Sequence, residues 1–166
     1  MATNKIYRSV GTAVRFKDTD ATYTITLNNL AYGVGRVSDV WDRGDAHLPV
    51  LYRWRACINF ETAPVIGEYV EIWKFASDGT AADGVVGASD AALTAGQCSN
   101  GKLMGIVVAQ AASADVNFIA SGITELWDRY VSVGMFNKSA GDNLQATNDT
   151  CWIELTPMIY EVEAAA

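Results

Sequence analysis

Apolar and polar side chains alternate over residues 51–60, and this run constrains the fold more than any other part of the sequence. One parity carries the apolar side chains of Tyr52, Trp54, Ala56, Ile58 and Phe60. The other parity carries Arg53, Arg55 and Asn59. A period of two predicts a β-strand with one buried and one solvated face, whereas a helix would place these side chains all around its circumference.

A second strand is predicted at 68–76, after a loop over 61–67 that contains Pro64 and Gly67. Its apolar residues fall on both parities and are Tyr69, Val70, Ile72, Trp73 and Phe75. We therefore expect the two runs to form an antiparallel pair, with the second strand covered on both faces. A sheet that is covered on both faces needs a second layer, which favours a β-sandwich.

The rest of the chain continues as short strands separated by turn signals. Further strands are predicted at 21–30, 34–42, 102–110, 115–120, 130–137 and 151–162. Short strands with turn residues about every 8 to 12 positions are typical of an all-β, antiparallel β-sandwich of jelly-roll type. With 166 residues in all, the chain is expected to form a single sandwich domain over 21–166.

Two segments lie outside this pattern. Residues 1–20 lack sustained periodicity and are predicted to be an extended N-terminal arm, loose unless a partner holds it. Residues 77–100 contain several glycines and no aromatic residue, which predicts a long surface loop with a short helical turn at 91–95. We expect this loop either to reach a neighbouring molecule or to span the top of the sandwich.

Positive charge is concentrated in the first third of an otherwise acidic chain. The formal net charge is -7; residues 1–55 hold eight basic and five acidic side chains, and the remaining 111 residues hold four basic and fourteen acidic ones. A solvated acidic surface explains this distribution, and so does a basic arm that docks on an acidic neighbour, including another copy of the chain. Nucleic-acid binding is not predicted, because the basic residues are dispersed and the total charge is acidic.

The sequence favours folding in a reducing cytoplasm. No apolar run approaches the roughly 18 to 20 residues that span a bilayer, so no membrane association is predicted. The first five residues lack the apolar core of a signal peptide. Cys57, Cys98 and Cys151 are odd in number and far apart, which predicts three free thiols.

Residue types that carry catalysis or bind metals are sparse and poorly spaced. His47 is the single histidine, and no nucleophile occupies a Gly-x-Ser-x-Gly turn, so a Ser-His-Asp or Cys-His arrangement is not predicted. Asp78, Asp83 and Asp90 do not match the spacing of a calcium loop and are interpreted as solvated loop acids. We predict a protein that is not an enzyme, with no catalytic residue, no metal site and no cofactor.

Tryptophan is the residue type with the clearest potential for contact with a partner. Trp54, Trp73 and Trp152 lie within strand patterns, where core packing is their expected use. Trp41 and Trp127 lie near strand ends and are candidates for exposed contacts, so a carbohydrate-binding or carbohydrate-cleaving module stays an alternative. Each of these two begins a Trp-Asp-Arg triplet. The alternatives for this repeat are an ancient duplication and coincidence, and we favour coincidence because only three residues are shared.

The candidate interface combines basic residues of the first third of the chain with these two tryptophans. It consists of Lys5, Arg8, Arg15, Lys17, Trp41, Arg53, Arg55 and Trp127. Arg53 and Arg55 stand side by side on the polar face of the alternating strand. That face is interpreted either as a contact surface for an acidic partner or as an ordinary solvated face.

Several motifs resemble those of small virion proteins of tailed bacteriophages. The C-terminal ones are RYVSVGMFN at 129–137, AGDNLQA at 140–146 and IELTPM at 153–158. The N-terminal ones are TITLNNL at 24–30, GVGRVSDVWD at 33–42 and YRWRA at 52–56. The resemblance covers most of 20–160 and leaves out the first twenty residues and the loop at 77–100.

This resemblance implies a jelly-roll structural protein of the virion without enzymatic activity. In such families, proteins of this size act as capsid cement or decoration, binding neighbouring subunits of the major capsid protein from outside. Others build tails, necks or fibres, which stays an alternative for this chain. The resemblance further implies a homo-oligomer, with a trimer as the expected form, placed on the capsid surface after synthesis in the host cytoplasm.

Overall fold

The structure of the chain is a computed structural model that describes residues 5–19, 23–44, 49–83, 89–147 and 149–163, of which 5–8 and 161–163 are described by their backbone alone. These residues form two six-stranded, mainly antiparallel sheets packed as a β-sandwich, which confirms the predicted fold class. The one helix in these ranges is α1 (Ala95–Cys98). No helix in the described part of the chain is long and apolar enough to cross a membrane.

Strands make up most of the regular structure in these ranges. In chain order they are β1 (Lys5–Val10), β2 (Val14–Lys17), β3 (Tyr23–Thr24), β4 (Gly35–Val37), β5 (Trp41–Asp42), β6 (Leu51–Ile58), β7 (Tyr69–Ser77), β8 (Ala91–Leu93), β9 (Lys102–Val108), β10 (Phe118–Glu125), β11 (Tyr130–Asn137) and β12 (Trp152–Glu163).

The order of the strands within the sheets is that of a jelly roll. The first sheet has the order β10-β6-β12-β2-β3, with β1 also paired to β12. The second sheet has the order β8-β4-β11-β7-β9, with β5 also paired to β11. The chain therefore crosses repeatedly from one sheet to the other, and β6 and β7, predicted to pair with each other, lie in different sheets.

The main core lies between the two sheets and contains the apolar parity of β6. Tyr52, Trp54, Ala56 and Ile58 are at most 4 % exposed, as the alternating pattern predicted. Residues from β7 and β11 in the facing sheet and from β12 in the same sheet complete this cluster, among them Ile72, Val133 and Ile153. The alternation over 51–60 therefore locates the core correctly, although it assigns β6 the wrong partner strand.

A second, smaller core lies on the outer face of the second sheet. It consists of Val37, Phe75, Ala82, Leu93, Cys98 and Phe136. This cluster confirms that β7 is covered on both faces. Three of its members come from 77–100, so within the described residues this segment covers its own sheet, and β8 occupies 91–93, where a helical turn was predicted.

The N-terminal segment belongs largely to the first sheet. β2 pairs with β12, and Phe16 on β2 is completely buried. β1 pairs with the far half of β12, in register from Lys5↔Glu163 to Val10↔Met158. The predicted arm over 1–20 is therefore wrong for 14–17, which form a strand of the sandwich.

The predicted strands at 21–30 and 34–42 are largely replaced by shorter strands, and the one predicted at 115–120 ends later than predicted. Within 21–30 only β3 is a strand among the described residues, and 34–42 divides into β4 and β5. In contrast, β10 runs to Glu125, five residues beyond the predicted end at 120. The additional part of β10 carries large exposed residues on the outer face of the first sheet.

Candidate interaction surfaces

Three of the predicted interface residues lie together on the outer face of the first sheet. Arg53 and Arg55 point outward from β6, because their neighbours on the opposite parity fill the core. The strand register pairs Glu154 on β12 with Arg55 on one side and with Arg15 on the other. We call Arg15, Arg53, Arg55, Trp152 and Glu154 the arginine face.

Glu154 is the buried centre of the arginine face. It is only 8 % exposed, although its strand position directs it away from the core. Arg15 donates to its Oε2 from Nε at 3.1 Å and from Nη2 at 2.6 Å, and Arg55 Nη1 lies 4.0 Å from its Oε1. A buried carboxylate is tolerated when charged donors surround it, and two arginines against one carboxylate leave this face net positive.

The same two arginines, Arg15 and Arg55, also contact the indole ring of Trp152. The Arg15 guanidinium carbon lies 4.5 Å from the centroid of the Trp152 ring, and that of Arg55 lies 5.7 Å away. Both distances lie within the range of cation–π attraction. Trp152 therefore supports a surface cluster, although its place in a strand pattern predicted a core role.

Arg53 is the arginine of this face that has no side-chain hydrogen bond or ion pair with the residues that the structure describes. It is exposed and has Ile123 and Thr156 as its cross-strand neighbours. Its five guanidinium donors can therefore bind a carboxylate from outside the molecule. Its outward orientation agrees with the sequence pattern, and its role in an interface stays a prediction.

An apolar ridge borders the arginine face along β10. Ile119 is 51 % exposed and Ile123 is 59 % exposed, both on the outward parity of β10. Leu103 on β9, 45 % exposed, lines a groove with Ile123 where the two sheets meet. We call Ile119, Ile123 and Leu103 the apolar ridge; Ser121 lies between the two isoleucines on the same parity of β10. Exposed apolar patches commonly mark contact surfaces.

The sequence prediction missed Ile123 because it ended the strand at residue 120, whereas Ile119 and Leu103 lie within predicted strands and only their exposure was not predicted. The alternation continues through Gly122, a small residue on the inward parity that weakens the strand signal. The large outward residues are the isoleucines, so the usual pattern of apolar inside and polar outside is reversed. That reversal is the sequence signal that could have found the ridge.

Trp127 is an exposed aromatic residue just beyond the end of β10. It is 71 % exposed, and its indole N–H donates to Oε2 of Glu125 at 3.2 Å. With Leu51 and Tyr160 it lines a mainly apolar groove of about 500 Å³. Its exposure is as predicted, and its participation in an interface stays a prediction.

The prediction that Trp41 makes an exposed contact is wrong. Trp41 is 8 % exposed and belongs to the main core. Its ring centroid lies 6.2 Å from that of Phe16, 6.3 Å from that of Tyr23 and 5.9 Å from that of Tyr52. Trp41 is on the inward side of β5, which the position near a strand end did not reveal.

The two Trp-Asp-Arg triplets contact each other across β5 and β11. Nε and Nη2 of Arg129 each donate to Asp42 at 2.8 Å, and this pair lowers the pKa of Asp42 to about 2. Reciprocally, Arg43 donates to the backbone oxygen atoms of Leu126 and Asp128. The two triplets are therefore in contact, and the interpretation of the repeat as coincidence stays a prediction.

The remaining predicted interface residues lie toward the N-terminus. Lys5 and Arg8 are on β1, and their side chains fall outside the described part of the structure. Lys17 is on β2 with its side chain 17 % exposed, and its Nζ lies 3.3 Å from Asp149. Lys17 is therefore largely covered by its own chain.

Groups that could support catalysis or metal binding are not gathered into a site in the described part of the chain. No cluster of three or more His, Cys, Asp or Glu residues suited to a metal ion occurs among those residues, and His47 lies outside them. Asp90 is not the solvated acid that was predicted, because it forms an ion pair with Arg36 and its side chain is 13 % exposed. Backbone N–H donors of Thr80 and Ala81 lower the pKa of Asp78 in a tight turn.

Comparisons with known proteins add only a distant structural similarity. No protein-family model matches the chain, and no curated protein matches it in sequence. A crystal structure of murine APRIL at pH 5.0 is similar with a TM-score of 0.43 and 8% identity, covering 73% of this chain and 72% of that one. The structure of murine APRIL at pH 8.5 is similar with a TM-score of 0.43 and 9% identity, covering 93% of this chain and 99% of that one. The class of the protein, an all-β jelly-roll sandwich, rests on the sheets themselves.

Proposed function

We propose that the chain is a structural protein of a tailed-phage virion, a capsid cement or decoration protein without enzymatic activity. The single observation that carries this proposal is the two-stranded ribbon formed by β1 and the far half of β12. It acts by binding across the boundary between neighbouring subunits of the major capsid protein. It takes its place on the capsid surface after synthesis in the host cytoplasm.

The ribbon supports this proposal through its length. β12 pairs with β6 only up to Pro157, and residues 158–163 continue with β1 as their paired strand. Six residues of extended strand span about 20 Å, and these residues lie beyond the part of β12 that pairs with β6. Contacts made by extended strands use main-chain hydrogen bonds and need no preformed pocket.

The test is to locate and count the protein in the virion. We expect reconstruction of virions by electron cryomicroscopy to show the sandwich on the outer shell, in a copy number comparable to that of the major capsid protein. Density in the tail, neck or fibres, with a few copies per particle, would instead establish the alternative virion role. Absence from purified virions would reject both versions.

A second experiment tests the ribbon itself. Capsids that lack the protein are mixed with the full chain or with a variant that lacks residues 1–10. The full chain is expected to bind and to raise the temperature at which the capsids open, and the truncated variant to bind much more weakly. Phe16→Ala is a matched control, because it weakens the same sheet without removing the ribbon. Equal binding by the truncated variant would remove the ribbon from the mechanism.

Carbohydrate binding is a second candidate, favoured by Trp127 and Tyr160, two exposed aromatic residues that line one groove. Aromatic rings stack on the apolar faces of sugars, and the nearby Glu125 offers acceptors for hydroxyl groups. A glycan array of the wild type and of Trp127→Ala tests this candidate. A glycan bound by the wild type and lost in Trp127→Ala would support it, and binding to no glycan would remove it.

A further inference from the structure

The apolar ridge and its charged neighbours form a self-complementary surface. Ile123 has two exposed neighbours of opposite charge, Arg53 on the adjacent strand and Glu125 on its own strand. All three side chains are on the outward parity of the first sheet. The surface therefore offers an apolar side chain with a cation beside it on the adjacent strand and a carboxylate beside it along β10.

The geometry of the sheet makes Arg53 and Glu125 exchangeable by a two-fold axis. Arg53 is directly opposite Ile123 in an antiparallel pair, which places their Cα atoms about 5 Å apart. Glu125 is two residues along β10 from Ile123, which corresponds to about 7 Å. The two distances are similar, and the direction from Ile123 to Arg53 is nearly perpendicular to the direction from Ile123 to Glu125. A two-fold axis that lies in the contact plane, passes over Ile123 and bisects the angle between these directions therefore exchanges the two positions.

Such an exchange is what a two-fold interface requires. In a symmetric dimer, when one residue contacts a second in the partner, the second also contacts the first. Two copies placed face to face about this axis bring Arg53 of each copy opposite Glu125 of the other. Ile123 lies at the axis, and Ile119 extends the apolar contact along β10.

We propose that the chain forms a two-fold homodimer through the apolar ridge, Arg53 and Glu125. The partner that binds this surface is a second copy of the chain, because the patch contains both a cation, Arg53, and the carboxylate that can pair with it, Glu125. The inference of a dimer follows from the positions of Ile123, Arg53 and Glu125 and does not depend on the proposed role in a virion. It also differs from the trimer that the resemblance to phage virion proteins implies.

Analytical ultracentrifugation of the full chain tests the dimer. We expect the wild type to sediment at twice the monomer mass of 17.9 kDa. Arg53→Glu and Glu125→Arg are each expected to sediment as monomers, because each places like charges opposite one another twice. An equimolar mixture of these two variants is expected to form a heterodimer, because each contact then pairs opposite charges again.

Matched controls separate this surface from the rest of the molecule. Glu61→Arg makes the same change of charge at an exposed loop position, and Ile66→Ser removes an isoleucine that is 65 % exposed in the same loop. Both are expected to leave the dimer intact, whereas Ile123→Ser disrupts it. Circular dichroism of every variant confirms that the sandwich is folded.

Several results would overturn the proposal. The protein concentration is raised in 100-fold steps to about millimolar. A wild type that stays monomeric over this whole range excludes an interface of useful affinity. A trimer or a larger ring excludes the two-fold arrangement. A dimer that persists in both charge variants, or variants that stay monomeric when mixed, assigns the contact to another surface.

Discussion

At the scale of single residues, Trp54 shows how the edge of the sandwich is closed between β9 and β10. A Cβ atom added at Gly105 would lie 2.4 Å from Cζ2 of Trp54, and one added at Gly122 would lie 2.6 Å from its Nε1. Trp54 is 4 % exposed, so it has little free space into which it can move. The two glycines therefore provide the space that the indole occupies.

Gly105→Ala and Gly122→Ala are each expected to lower the free energy of unfolding by about 1–3 kcal/mol, the usual cost of overpacking a core. Denaturation in urea measures this change. Gly141→Ala is the control, because no atom lies within 4 Å of its added Cβ, and we expect it to change the stability by less than about 0.5 kcal/mol. Equal stability of all three variants would mean that Trp54 can adopt another position.

The cysteines provide a second prediction at this scale. Burial raises the pKa of Cys57 and of Cys151 to about 11, and it also raises the pKa of Cys98. At pH 8 these thiols are protonated and covered, so we expect slow reaction with Ellman's reagent in the native protein and rapid reaction of all three in urea. Rapid reaction of one native thiol would show that its cover opens readily.

The same shifts fix the sign of a pH effect. Between the ordinary pKa of about 9 and the folded value of about 11, the folded state keeps protons that the unfolded state has lost. Stability should therefore fall as the pH rises through this window. Urea denaturation at both ends of the window measures the fall, and Cys57→Ala is expected to reduce it.

At the scale of secondary-structure elements, α1 is a single turn whose N-terminus is fixed by a capping box. The Thr94 side chain accepts from the backbone N–H of Gln97, and the Gln97 side chain accepts from the backbone N–H of Thr94. The helix in turn contributes Cys98 to the second core, against Phe75. The cap therefore helps to hold the cover on the outer face of the second sheet.

Thr94→Ala removes one half of this capping box. We expect a loss of about 1 kcal/mol in the free energy of unfolding, the typical value for an N-cap hydroxyl. Ser99→Ala is a matched control at the other end of the helix, where the cap uses the backbone N–H rather than the hydroxyl. If both substitutions had the same effect in urea denaturation, the capping box would contribute nothing specific.

The elements also show how far the sequence predicts this structure. Alternation identified β6 and its buried face, and apolar residues on both parities correctly indicated that β7 is covered twice. The pairing of β6 was mispredicted, because pairing in a jelly roll is set by tertiary contacts between distant segments. The alternating pattern correctly predicted that Arg53 and Arg55 point outward. It did not predict that Glu154 is buried between Arg15 and Arg55, because that depends on the register of β12. Ile123 of the apolar ridge was missed because Gly122 interrupts the strand signal.

At the scale of the whole molecule, the two terminal segments of the chain are joined through the first sheet. β12 is the longest described strand and pairs with β6, β2 and β1 in succession. Its first half lies within the sandwich, and its second half forms the ribbon. The boundary between sandwich and ribbon on the N-terminal side therefore lies between β1 and β2, near Gly11, and not at residue 20.

Two truncations test this boundary. Removal of residues 1–10 is expected to leave the sandwich folded, because β1 pairs only with the far half of β12 among the described strands, and Val10 is 66 % exposed. Removal of residues 1–17 also deletes Phe16, which is completely buried, and with it the strand that pairs with Ile153 to Leu155. We expect this second truncation to cost at least the roughly 3–5 kcal/mol of a Phe→Ala core substitution, a large part of the total stability of a domain.

Thermal and urea denaturation of both truncated chains measure the difference, and Phe16→Ala in the full chain is the matched control. The control should lose about 3–5 kcal/mol with the ribbon intact, which separates the contribution of the core side chain from that of β2 pairing. If removal of 1–17 were as well tolerated as removal of 1–10, β2 would contribute nothing to the sandwich, and the predicted arm over 1–20 would describe the molecule correctly. If only the longer truncation greatly lowers the free energy of unfolding, β2 belongs to the folding unit. The projecting ribbon then consists of β1 and the end of β12 alone.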